Sequence, residues 1–108
     1  SRVLLLGVAY KADIDDMRMS PAKRIAEVLL DKQAEVVYCD PYVDRFYASG
    51  QDVPRVELSA EELQRADVAV IVTAHRVFDY ELIGRESRLV LDTRNALWDR
   101  PGDNIVRL

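Results

Sequence analysis

The uninterrupted apolar run at residues 3–9, "VLLLGVA", constrains this chain more than any other feature. A strand with one wet face alternates apolar and polar residues. A run apolar on both faces is buried on both, as in a parallel sheet covered by helices. Three more such runs follow: "EVVYCD" at 35–40, stopped by Pro41, "DVAVIVT" at 67–73 and "RLVLDT" at 88–93. "NIVRL" near the end reads as a last edge strand.

Helical signals separate these runs. Ser20 is a good N-cap and Pro21 suits a first helical position. Ala22, Ile25, Ala26 and Leu29 then form one apolar stripe that ends near Lys32. "SAEE" at 59–62 is a capping box opening a short helix. "FDYELIG" reads as one or two helical turns, and residues 41–57 read as polar and irregular, with Gly50 and Pro54 breaking any period. The alternation predicts an α/β fold, a Rossmann-like three-layer sandwich with a mostly parallel sheet of five or six strands. Right-handed crossovers place the second strand on one side of the first, and the third, fourth and fifth on the other. Ligands of such sheets bind outside the carboxyl ends of the strands, where the chain reverses direction across the sheet.

At 108 residues the chain is the size of one domain, with no repeats or internal linker. A net charge of −4 argues against a nucleic-acid footprint or a basic membrane surface. No apolar run has the length of a membrane span or the pattern of a signal peptide. Cys39 is the one cysteine, so no internal disulfide forms, and a reducing, cytoplasmic setting is expected. Ser1 leads straight into the first strand without an initiator methionine, as expected of a domain excised from a longer chain.

The expected strand ends carry cations. Tyr10, Lys11 and Arg18 follow the first strand, Thr73 and His75 the third, and Asp92, Arg94 and Asn95 the fourth. Neighbouring strands lie roughly 4.8 Å apart, so Lys11 and Arg94 should sit about 10 Å apart at the backbone, close enough to grip one anion or two ends of a pyrophosphate. The G-x-G-x-x-G phosphate loop is absent: Gly7 is the sole glycine there, inside the expected strand, and bulky Tyr10 and Lys11 fill the turn. Any phosphate must then be held by side-chain cations.

Each candidate has a plainer reading. The plainer reading of Lys11 alone is a solvated surface charge at a strand end. Arg18 among Asp13, Asp15 and Asp16 serves equally as a loop ion pair or as a ligand contact. Those aspartates fit loop solvation better than a metal site, since no His or Cys has the spacing. Arg94 is favoured by its place at a strand end. Tyr10 is core or covers a base or sugar, and its place before Lys11 tips it toward the site. His75 is expected to pack or support, because no carboxylate is placed by sequence to orient it. Cys39 reads as an inert core thiol, and Met17 and Met19 as packing or loop residues.

With those residues in hand, the chain is similar to the C-terminal nucleotide-sugar-binding domain of the UDP-glucose/GDP-mannose dehydrogenase family. The matching segments "GVAYKADIDDMRMSPA", "VVYCDPYV", "ADVAVIVTAHRVFDYELI" and "LVLDTRNAL" are collinear and cover nearly the whole chain. The wording is closest to members that oxidise UDP-N-acetylhexosamines, with UDP-glucose members near. The resemblance implies a parent enzyme that turns a sugar C6 hydroxyl into a carboxylate in two NAD-dependent oxidations. It implies an N-terminal NAD-binding domain and a central helical domain as partners, a parent that is a homodimer or larger, and no nucleic-acid or membrane partner. The catalytic groups belong to the other domains, so this chain alone should be inactive. By position, Tyr10, Lys11 and Arg94 match contacts to the UDP-sugar, and Arg18 matches an arginine reaching NAD across the cleft; Thr73 and His75 line the site from the bottom-up reading alone. The family usually has Arg-Glu-Ser-Pro where this chain has Arg18-Met19-Ser20-Pro21, which removes a possible acidic partner for Arg18.

Two other classes compete. A stand-alone, non-catalytic nucleotide-binding module would share the same site and differ in whether a dehydrogenase domain precedes Ser1 in the gene. A receiver-type signalling domain would need a phosphoacceptor Asp at the end of a central strand; the third strand ends in Thr73.

Overall fold

Arg2–Leu6 (β1) is the central strand of a five-stranded sheet, and Leu4, Leu5 and Leu6 are completely buried. The computed structural model describes residues 1–9, 21–97, 99 and 102–107. Glu35–Cys39 (β2) pairs with one edge of β1 and Val68–Ile71 (β5) with the other, both parallel. Val90–Asp92 (β6) and Ile105–Arg107 (β7) extend the sheet in the same direction, giving the order β2-β1-β5-β6-β7. This is the expected strand order, and all five strands run parallel.

The helices split between the two faces. Pro21–Asp31 (α1) lays Ala22 and Ala26 against Val3, Leu5, Val36 and Tyr38, with Ile25 and Leu29 flanking. The small alanines let the helix approach closely, and each large apolar side chain buried beneath it contributes about 1.5–3 kcal/mol. Ala60–Arg65 (α2) and Tyr80–Glu86 (α3) cover the opposite face, packing Leu63 and Ile83 on Leu4, Leu6, Ile71 and Val90. The Ser59 hydroxyl accepts the Glu62 amide, as a capping box requires, while the Glu62 carboxylate engages Arg2 at 2.9 Å. Arg2 also meets Glu35 at 3.0 Å, and its amide donates to Asp67, so charges stitch the amino ends of the strands together.

Two expectations need correction. Residues 41–57 are not simply irregular: Tyr47–Ala48 (β3) and Gln51–Asp52 (β4) form an antiparallel hairpin. Its two turn residues, Ser49 (φ 51°) and Gly50 (φ 75°), are both left-handed, the geometry that suits a two-residue hairpin loop. Val43, Phe46, Ala48 and Val53 are buried beside Tyr38, whose ring meets Phe46 edge-on at 5.5 Å, so this segment is part of the core. Second, the first strand ends at Leu6, not Ala9. Gly7 has φ 81°, and a Cβ there would overlap the Thr73 carbonyl oxygen and lie 2.7 Å from the Thr73 Cβ. Gly7 therefore serves the turn and its close contact with the backbone that follows β5.

Candidate functional site

The switch point lies between β1 and β5, where the chain leaves β1 toward β2 on one side and arrives at β5 on the other. The described backbone leaving β1 is held from both sides. From the β2 end, the fully buried Asp40 takes the Val8 amide at 2.8 Å and the Ala9 amide at 3.3 Å on one carboxylate oxygen, and the Tyr42 amide at 2.8 Å on the other. From the β5 end, the Thr73 hydroxyl donates to the Ala9 carbonyl. Ala9 is thus fixed at both its N–H and its C=O.

His75 completes this arrangement. Its Nε2 lies 2.8 Å from Asp40 Oδ2, and neither side chain is exposed. The imidazole sits between Tyr42 (4.8 Å between ring centroids) and Phe78 (5.4 Å). The expectation that no carboxylate orients His75 is therefore corrected: Asp40, distant in sequence, does so. The packing role expected for His75 stands, with the imidazole enclosed in the core. Burial alone would push the Asp40 carboxyl up, but hydrogen bonds from His75, Val8 and Tyr42 outweigh it and hold the group below the usual carboxylate range. Cys39, one residue earlier, is buried, and burial pushes its thiol up to about 11, with Glu57 and Asp40 adding to the shift. It has no thiolate character at neutral pH, as the inert reading expects.

At β6 the device is repeated locally. Asp92, fully buried, accepts the amides of Arg94 at 3.1 Å, Ala96 at 3.0 Å and Leu97 at 2.8 Å. Thr93 Oγ1 donates to the Ile71 carbonyl at 2.6 Å, tying the turn to β5. Asn95 takes φ 57°, and Arg94 and Asn95 are exposed at the top of the turn.

The predicted site residues thus divide. Thr73 and His75 come together around the β1 exit, buried, as supports of the backbone. Arg94 stands exposed on the β6 turn, two strands away from β1. Tyr10, Lys11 and Arg18, with the aspartates between them and Ser20, lie outside the described residues. Asp40 and Asp92 were not singled out as scaffolding by sequence reasoning. Their signal was present all the same, since each is an acid closing an apolar strand run, "VVYCD" and "LVLD", where a solvated residue would be cheaper.

Among the described residues no group of three His, Cys, Asp or Glu is arranged to hold a metal ion. No helix among them is long and apolar enough to cross a membrane. A dinucleotide phosphate loop needs a glycine whose missing Cβ leaves room for phosphate. At Gly7 that room is occupied by Thr73, so the described residues do not fit a dinucleotide cradle. A cleft of about 180 Å³ adjoins the β2 end, between Cys39, Pro41, Arg55 and Phe78. A larger apolar groove of about 450 Å³, lined by Val3, Leu29, Val68 and Leu89, lies at the amino ends of the strands, opposite the switch-point exits.

Comparison with known proteins agrees with this geometry. Residues 4–100 match the model of the UDP-glucose/GDP-mannose dehydrogenase family, UDP binding domain. The UDP-N-acetyl-D-mannosamine dehydrogenase of Methanocaldococcus jannaschii is 33% identical over 99% of this chain and 26% of its own length. The UDP-glucose 6-dehydrogenase of Haloferax volcanii is 33% identical over 94% of this chain and 24% of its own length. The solved structure of a UDP-glucose dehydrogenase from Pyrobaculum islandicum superimposes with a TM-score of 0.74 at 28% identity, covering 96% of this chain and 24% of that one. The chain thus spans about a quarter of the length of the relatives it matches. With 97 of its 108 residues inside the family match and the fold shared with solved members, the chain belongs to the UDP-glucose/GDP-mannose dehydrogenase family, as its UDP-binding domain.

Proposed function

We propose that this chain holds the UDP part of a nucleotide sugar for a longer NAD-dependent 6-dehydrogenase, which oxidises the sugar C6 hydroxyl to a carboxylate. The single observation that carries the reading is the turn after β6. It presents an exposed Arg94 from a backbone pinned by a buried carboxylate, at the carboxyl end of a parallel strand, inside the stretch matching the UDP-binding domain. An arginine fork held there is suited to a diphosphate. Lys11 would grip the same diphosphate from the β1 side, and Tyr10 would cover the base or sugar. Thr73 and His75 would act by shaping the β1 exit.

Arg18 would reach across a cleft to NAD held mainly by a preceding dinucleotide-binding domain. That the relatives are about four times longer supports a parent with further domains, and on this reading residues 1–108 are one domain of a cytoplasmic, oligomeric enzyme. The hydride acceptor is the chemistry NAD supplies when bound; this chain's own residues bind and orient the nucleotide. Cys39 is buried with its thiol pushed up to about 11, and His75 is enclosed, so neither is presented to a substrate. The chain alone should be catalytically inactive.

Calorimetric titration of the full-length gene product with UDP, and with GDP as control, tests the reading. UDP should bind in preference to GDP, and Lys11→Ala and Arg94→Ala should each weaken it about 10- to 100-fold, the range of a hydrogen bond to a charged group. Indifference to both substitutions would refute it. Arg18→Ala should raise the KM for NAD more than that for the UDP-sugar; equal losses would count against its cofactor-facing role.

A further inference from the structure

We propose that Asp92 is a positioning residue for the nucleotide site, fixing the turn that presents Arg94. The inference rests on the reading of Arg94 as a diphosphate ligand. Asp92 is completely buried, yet its carboxylate is spent on three consecutive-turn amides, those of Arg94, Ala96 and Leu97, at 2.8–3.1 Å. A buried carboxylate is a costly way to cap a short turn. What it adds over a hydroxyl is two acceptor oxygens that hold three donors at once, and bonds to a charged acceptor are the stiffer and stronger ones.

The rest of the turn is held in the same manner. Thr93 Oγ1 is tied to the Ile71 carbonyl at 2.6 Å. The Leu97 side chain is fully buried, and its carbonyl accepts from Arg107 Nη2 at 2.8 Å. Asn95 holds a left-handed φ of 57°. The exposed Arg94 side chain therefore springs from a backbone with little freedom. A cation on a fixed backbone loses less entropy on gripping an anion than one on a loose loop. Removing the Asp92 charge should cost nucleotide affinity through Arg94 and not by itself.

A double-mutant cycle on UDP affinity of the full-length protein tests this. Asp92→Asn keeps the volume but turns an amide donor toward main-chain donors. It should weaken UDP binding about 10-fold, and Asp92→Asn/Arg94→Ala should bind no worse than Arg94→Ala alone. A purely structural role would leave UDP affinity unchanged in Asp92→Asn, or would multiply the two losses in the double variant; either result overturns the proposal. Asn95→Val provides a second arm on an exposed residue, usable even if Asp92→Asn does not fold. Strain at φ 57° should weaken UDP about 3-fold in the Arg94 background and not in the Arg94→Ala background, with Asn95→Gly losing less. Equal losses in both backgrounds, or none in either, overturn it too. If Arg94→Ala itself leaves UDP binding unchanged, the nucleotide-site reading fails at its own step, before Asp92 enters.

Discussion

The ends of β2 and β6 carry the same device with opposite reach. Asp40 closes β2 and spends its carboxylate mainly on a neighbouring strand's exit, at Val8 and Ala9, and on His75, all more than 30 residues away. Asp92 closes β6 and spends its carboxylate within its own turn, on residues two, four and five positions on. One acid joins three parts of the fold; the other shapes one loop. Acids at strand ends can therefore tie distant parts of the fold together or shape a single loop, and their partners tell which. Long-range partners predict a large effect on stability and a diffuse one on binding, and local partners the reverse.

The largest break in this comparison should come at Gly7, where the Asp40-held exit begins. Gly7→Ala meets a left-handed φ, worth about 1–2 kcal/mol, and a backbone clash worth about as much again. Urea unfolding should show a loss of about 3 kcal/mol or more; a loss under about 1 kcal/mol would mean that the exit relaxes freely. Asp40→Ala comes next. It removes the Asp40 acceptor from two buried amides and from His75, for an expected loss of about 3 kcal/mol, against about 2 kcal/mol for Asp92→Ala, which affects only local donors. Equal losses would erase the distinction between the two acids.

Acid titration sharpens the contrast further. The folded Asp40 carboxyl lies below its unfolded value of about 3.9. Its contribution is therefore fully present above about pH 4 and is lost as the pH falls through the folded value. Asp40→Asn should flatten the fall in stability across that acidic window; an unchanged slope would show that other carboxylates carry it. The smallest effect concerns Cys39. With its thiol pushed up to about 11 and buried, it should resist iodoacetamide at pH 8 in the native protein and react once urea unfolds it. Modification at the rate of a free thiol would mean the β2 end opens readily.

Much of the scaffold was legible because it follows from local pattern. Continuous apolar runs gave the parallel strands, the Ala22–Ala26 stripe gave α1, and handedness gave the strand order. The hairpin at 47–52 was missed because its strands are two residues each, too short for any period to register. Ser49-Gly50 was the turn signal, of which Gly50 was read only as a break. The exposed place of Arg94 on the turn after β6 was legible from its strand-end position. The Asp40–His75 pair was not: 35 residues separate its members, and only the crossover from β2 to β5 brings them together. Gly7 looked like a strand residue because its requirement for glycine arises from Thr73, a partner supplied by the fold.

A crystal structure of the full-length protein with UDP tests the central claim most directly. The account predicts the diphosphate at the carboxyl ends of β1 and β6, with the Arg94 guanidinium within hydrogen-bond distance of a phosphate oxygen and the Asp92-held turn unmoved. A diphosphate seated in the amino-end groove between Leu29 and Leu89, or in the cleft beside Cys39 with Arg94 turned to solvent, would contradict it.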